Sequence, residues 1–167
     1  MNIILIGMPG SGKTSIGKNL AKKLCADFID TDRLIEKEYG KVIKIIKEKG
    51  DNFFCKIEEK VIKKELQNVE NSVISTGGSV VLSPELMNFF KETGKIIYLD
   101  VSYNEIEHRI KHFRKSGSEI IGIFQGLKDV YEQRKPLYEK YADITFSAEK
   151  RSLKNHAEKL AEIINNI

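Results

Sequence analysis

Residues 3–14 read IILIGMPGSGKT, and this stretch decides the fold. Residues 3–6 are a continuous apolar run, as a strand buried on both faces requires. Gly7 to Thr14 then fill the pattern G-x-x-x-x-G-K-[ST], and Ile16, Leu20 and Leu24 follow at helical spacing. Strand, glycine loop and helix therefore coincide, which a chance glycine-rich turn does not explain. Gly10 and Gly12 let the backbone curl so that successive N–H groups face phosphate oxygens. The helix beginning near Lys13 adds its positive end. The loop and first turn, Gly10, Ser11, Gly12, Lys13, Thr14 and Ser15, are the expected ATP-binding residues. Lys13 is expected to reach the β/γ oxygens, and the Thr14 hydroxyl to ligate magnesium.

Outward from the loop, strands and helices alternate. Apolar runs at 3–6, 27–29, 72–75, 95–100 and 142–146 read as five strands. Val61, Ile62 and Leu66 share one helical face, as do Leu160, Ile163 and Ile164. Ser83-Pro84-Glu85 is a helix start with proline in the first turn. Alternation of this kind predicts a parallel sheet covered by helices on both faces. No repeat, linker or second-domain boundary interrupts it, so 1–167 reads as a single domain. The exception to regularity is 115–126, KSGSEIIGIFQG, a candidate mobile loop with three glycines and no clear period.

Composition narrows the function. The chain has 167 residues, 41% hydrophobic and 31% charged, enough for one compact domain without disulfides or a structural metal. Cys25 and Cys55 match no metal-ligand spacing and read as reduced thiols of a cytoplasmic protein. No apolar run approaches the roughly 18 residues of a membrane span. The start reads as a first strand and not as a signal peptide. A net charge of +4, with no basic cluster interleaved with aromatics, gives little support for nucleic-acid binding.

The second strand ends in FIDTDRLIE, residues 28–36, placing Asp30 and Asp32 at a carboxyl strand end, where α/β sheets bind ligands. One carboxylate suits the magnesium side and the other suits accepting a proton from an attacking hydroxyl. The competing reading is that Asp30 or Thr31 caps a helix starting at Asp32.

The loop GMPGSGKT, the stretch FIDTDRLIE, the turn STGGS at 75–79 and RKPLYEKYAD at 134–143 occur in the order and spacing of shikimate kinases. The resemblance spans nearly the whole chain. It implies a three-layer α/β/α P-loop kinase with a five-stranded parallel sheet, a substrate-binding helical segment at about 31–60 and a lid at about 115–126. It also implies magnesium-dependent transfer of the ATP γ-phosphoryl to the 3-hydroxyl of shikimate, a step of aromatic amino-acid biosynthesis, by a monomer. By motif, Asp32 resembles the acid that activates the acceptor hydroxyl and, with Lys13, the catalytic pair. Asp30 resembles the acid on the magnesium side, beside Thr14. Gly77 and Gly78 match a substrate-binding glycine turn. Arg134 matches an arginine that grips the substrate carboxylate, a task suited to a guanidinium fork. Arg109 resembles an adenine-stacking arginine, and Arg151 is a further ATP-site candidate. His108, His112 and His156 match no role and read as exposed helix residues.

Three departures stand out. Ser79 replaces a third glycine after Gly77-Gly78. The lid stretch 116–121 has no arginine, although Arg114 and Lys115 lie just upstream; loss of a transition-state arginine costs about 10³–10⁵ in rate in related systems. Finally, GDNFFCKIE at 50–58 keeps Gly50, Phe54 and Glu58 in register but has Cys55 where the family pattern carries a carboxylate-binding arginine. Losing that contact costs roughly 1.5–3 kcal/mol, or about 10–150-fold in affinity. Lys56 is adjacent, yet one residue turns about 100° around a helix and points it elsewhere. Two alternatives follow: a kinase of the same fold for another small hydroxyl compound, or a catalytically weakened ATP-binding module.

Overall fold

The computed structural model describes residues 1–115, 126–149 and 153–166. Five parallel strands form one sheet: β1 (Asn2–Ile6), β2 (Asp27–Asp30), β3 (Ser72–Ser75), β4 (Gly94–Asp100) and β5 (Ile144–Ser147). Their order is β2-β3-β1-β4-β5. Eight α-helices are described: α1 (Lys13–Leu24), α2 (Thr31–Tyr39), α3 (Val42–Lys49), α4 (Asp51–Leu66), α5 (Pro84–Thr93), α6 (Tyr103–Lys115), α7 (Leu127–Tyr141) and α8 (Leu153–Asn165). A 3-10 turn, Val80–Leu82, follows β3.

The central strand is β1, buried along its whole length and paired with β3 on one side and β4 on the other. The chain runs to one side of β1 for β2 and β3 and to the other for β4 and β5. The switch point therefore lies at the carboxyl end of β1, where open α/β sheets form their ligand crevice. The phosphate loop starts there.

Helices α1 and α8 pack on each other, with Ile16 and Leu20 of α1 and Ala157 and Leu160 of α8 buried. On α4, α5 and α7 the buried residues Ile62, Leu66, Leu86, Met87, Phe90 and Tyr138 join the same main core. Each fully buried Leu, Ile or Phe contributes roughly 1.5–3 kcal/mol of transfer free energy. A smaller cluster, Ile35, Ile45, Phe54, Ile57 and Val61, holds α2, α3 and α4 together. Within GDNFFCKIE, Phe54 is thus a core residue of this helical cluster, while Phe53 faces solvent at 44% exposure.

Several local expectations are corrected. The fifth strand starts at Ile144 and not at 142, because the Ala142 N–H still closes α7 on the Tyr138 carbonyl and the Asp143 carboxylate accepts from the Ile96 N–H. Helix α2 begins at Thr31, with no side-chain cap at its start. His156 is buried, at 1% exposure, with its ring edge-on to Phe146. His108 and His112 are exposed as expected. Ser83 caps α5 by accepting from the Leu86 N–H, with Pro84 behind it.

Candidate active site

The loop between β1 and α1 turns on glycines: Gly10 and Gly12 have φ of 82° and 99°, in the left-handed region. Lys13 opens α1 but folds back, its ammonium donating to the carbonyls of Gly7 (2.7 Å) and Met8 (3.0 Å). Burial lowers the Lys13 pKa to about 8, against the opposing pull of Asp32 and Asp30, while Arg134 lowers it further. At neutral pH it remains largely charged. Ser11 is buried, and Ser15 is exposed on the first turn of α1.

At the next residue of α1, the Thr14 hydroxyl donates to Asp30 Oδ2 at 3.0 Å and lies 3.4 Å from Ser75 Oγ. The β2–β3 register puts Asp30 opposite Ser75, which is why these groups meet. Asp30 cannot cap α2 because its carboxylate faces Thr14. The Thr31 hydroxyl is also engaged, accepting from the Gly77 N–H at 3.2 Å. Tertiary contacts thus take both candidate caps. Hard oxygen donors converge at Thr14, Asp30 and Ser75, which suits magnesium chemically.

Asp32 stands in the first turn of α2. Burial raises its pKa to about 6, and neighbouring Asp30 adds to this, while Lys13 opposes. A carboxylate poised there is ionised at neutral pH yet remains a competent proton acceptor. Facing it is the turn after β3. A Cβ on Gly77 would stand 2.8 Å from Glu58 Oε1 and 2.9 Å from Asp32 Oδ1, so two carboxyl groups close on this backbone and a side chain there would have to displace them. Arg134 reaches the same turn from α7, its Nη1 lying 3.4 Å from where a Gly78 Cβ would be. Four elements, α1, α2, the β3 turn and α7, therefore bring Lys13, Asp32, Gly77, Gly78 and Arg134 together.

A shikimate kinase family model matches residues 9–165 of this chain. The chain belongs to the shikimate kinase family. It is 38% identical over 169 residues to the shikimate kinase of Pasteurella multocida, covering 99% of this chain and 96% of that one. With the shikimate kinase of Persephonella marina it shares 40% identity over 158 residues, 90% of this chain and 91% of the relative. Among solved structures, shikimate kinase from Acinetobacter baumannii in complex with shikimate is similar with a TM-score of 0.88 at 28% identity, covering 99% and 93% of the two chains. As a member of the shikimate kinase family, the chain is an ATP-dependent phosphotransferase with an alcohol group as acceptor. No helix among the described residues is long and apolar enough to cross a membrane.

Seen as a shikimate kinase family site, the remaining candidates divide. Arg109 lies against the phosphate loop: Nη1 donates to the Gly10 and Ser11 carbonyls (3.3 and 3.2 Å), Nη2 to the Ala148 carbonyl (2.9 Å) and Nε to Glu105 (2.8 Å). It therefore ties α6 to the loop backbone. Arg151 and the lid segment 116–125 lie outside the described residues. Cys55 is half-buried, and burial followed by Glu58 and Asp51 pushes its thiol up, with Arg134 opposing. Lys56 is exposed, as its position one residue on requires.

Sequence reasoning assigned no role to three residues here. Ser75 was legible only as the end of β3 and the start of the STGGS turn, and the cross-strand register brings it to Thr14. Tyr138 stands one helical turn after Arg134; its hydroxyl donates to the Gly78 carbonyl at 2.6 Å while its ring stacks on Tyr98 at 5.1 Å. Glu58 was only a register mark, yet it is 1% exposed and accepts from Ser79 Oγ at 3.1 Å.

Proposed function

We propose that this protein phosphorylates the 3-hydroxyl of shikimate with magnesium-ATP. The observation that carries the reading is the convergence of Asp32, the Gly77–Gly78 turn and Arg134 beside Lys13. An acid, an approachable backbone and a guanidinium match an acceptor with a hydroxyl at one end and a carboxylate at the other. Family membership, and a relative solved in complex with shikimate, support the same acceptor.

In this reading the loop amides from Gly10 to Thr14, with Ser15 at the helix start, cradle the phosphates. Lys13 exchanges its carbonyl partners for phosphate oxygens. Asp32 orients the acceptor hydroxyl and takes its proton as the phosphoryl group moves in line. Arg134 holds the acceptor carboxylate, with the turn amides of Gly77 and Gly78 alongside. Thr14 and Asp30 are the residues that would hold magnesium, whose charge neutralises the phosphate oxygens when bound. Arg109 and Arg151 belong to the nucleotide side. We further infer a single kinase unit over 1–167, with an acceptor-binding helical segment at about 31–60, a lid at about 115–126, and a monomer working in the cytoplasm.

The rival acceptor, a different small hydroxyl compound, is motivated by Cys55 and Ser79. Steady-state assays with shikimate against polyols, sugar acids and nucleosides separate the two. Shikimate is expected to have the highest kcat/KM. Negligible turnover of shikimate beside brisk turnover of another acceptor would overturn the reading.

A further inference from the structure

Glu105, on α6, has no part in the mechanism above, yet it ends a chain of contacts that begins at the phosphate loop. Its Oε1 accepts from Arg109 Nε at 2.8 Å, one helical turn along. Arg109 Nη1 donates to the Gly10 and Ser11 carbonyls, and Nη2 to the Ala148 carbonyl just after β5. Packing seats the helix against the loop: Ile106 and Ile110 are buried, and a Cβ on Gly10 would stand 3.4 Å from Ile110 Cγ1. The Glu105 and Arg109 side chains are 18% and 20% exposed, whereas the other i,i+4 ion pairs among the described residues are 35% exposed or more on each partner. Water therefore screens this pair less than an ordinary surface pair.

We propose that Glu105 is a positioning residue of the nucleotide site: it fixes the Arg109 guanidinium, which holds the Gly10 and Ser11 carbonyls to one side and so aims the loop amides at the phosphates. The reason is the geometry of the peptide unit. Each unit is planar and trans, so a carbonyl and the N–H that follows it point in opposite directions. Holding the Ser11 carbonyl turns the Gly12 N–H to the opposite side. Holding the Gly10 carbonyl likewise sets the Ser11 N–H, which donates to the Met8 carbonyl at 3.1 Å. Gly10 and Gly12, at φ of 82° and 99°, have wide backbone freedom, so an outside restraint decides which arrangement the loop keeps. A guanidinium supplies two donors on one nitrogen, and Glu105 limits the rotation of a long side chain. The proposal rests on the reading that the loop amides hold the nucleotide phosphates, and not on the choice of acceptor.

Two effects of Glu105 on a bound phosphate oppose each other. Its negative charge repels an anion, whereas its bond to Arg109 keeps the amides aimed. Glu105→Gln removes the charge and keeps an oxygen for Arg109 Nε. Glu105→Ala removes both, and Arg109→Lys keeps the positive charge without the fork. The sign of the change in each variant therefore separates positioning from simple charge.

The test measures Kd by titration calorimetry for magnesium-ATP and for magnesium tripolyphosphate, which has neither base nor sugar, on the unaltered protein and the three variants. Glu105→Ala is expected to weaken both ligands by the same factor, roughly tenfold, the worth of one charge-assisted hydrogen bond. Arg109→Lys is expected to weaken both as well, and Glu105→Gln to bind both at least as tightly as the unaltered protein. In steady state the KM for ATP should rise in Glu105→Ala while the KM for the acceptor stays unchanged, a split that a general loosening of the fold would not give. Tighter binding in both Glu105 variants, equal affinities in every protein, or a loss for ATP without one for tripolyphosphate overturns this proposal alone. An unaltered protein with no affinity for tripolyphosphate overturns the loop reading and this proposal with it.

Discussion

At the scale of single residues, Asp32 and Gly77 carry the most chemistry. Asp32 combines burial, a neighbouring acid and the Lys13 charge, which together leave it a base near its working pH. Asp32→Asn keeps the shape and removes the proton acceptor, so kcat should fall about 10²–10⁴-fold with a smaller change in KM for ATP. Steady-state kinetics with both substrates varied would check this, and an unchanged kcat would remove Asp32 from its role. Gly77→Ala places a methyl group against Glu58 and Asp32. A displacement of that size at the reacting centre costs roughly 100-fold, so kcat/KM for the acceptor should drop by about that factor while ATP binding by titration calorimetry persists. The roles proposed for Lys13, Asp32 and Arg134 were approachable from sequence because their motifs have fixed spacing. Glu58 was not, because its importance comes from burial and from two residues, Ser79 and Asp32, that only the fold brings to it.

Among the elements, the sheet was the most legible part. Buried parallel strands carry continuous apolar runs; 3–6 reads directly as one, and 73–74 and 96–99 are the apolar centres of β3 and β4. Edges were less legible where a tertiary bond competes with local preference. Asp30 and Thr31 look like caps but serve Thr14 and Gly77 instead. His156 looks like a surface residue, yet it lies on the face of α8 that also buries Ala157 and Leu160. Helix α7 shows what an element can do beyond carrying Arg134. Its Tyr138 joins the Gly78 carbonyl to the Tyr98 ring, bracing the turn against the sheet. Tyr138→Phe removes the donor to the part-buried Gly78 carbonyl and should cost about 1 kcal/mol of stability. That shift would appear in the urea midpoint at unchanged m-value, accompanied by a raised acceptor KM. A loss of stability without any change in KM would show that the brace does not reach the site.

For the whole molecule, the site is held together against its own electrostatics. Asp32 and Glu58 bind protons more tightly folded than unfolded, with folded values of about 6 and about 8. Their contribution to stability is full below the ordinary carboxylate range and is lost as pH rises through those values. Lys13 acts oppositely: lowered to about 8, it costs stability below that pH, and the cost fades as pH rises toward its unfolded value of 10.5. Glu58→Gln removes one contribution cleanly. Its Tm relative to the unaltered protein should therefore increase between pH 5 and pH 9, and a constant difference would contradict a buried, protonated Glu58. Such tension is expected where titratable groups are gathered for catalysis rather than for folding. The most direct test of the central claim is the identity of the product. The enzyme should be incubated with ATP, magnesium and shikimate, and the product analysed by phosphorus and proton NMR. The account predicts one phosphate monoester, on the 3-hydroxyl, formed in step with ADP. ADP formed without a shikimate phosphoester, or a phosphate on another hydroxyl, would contradict it.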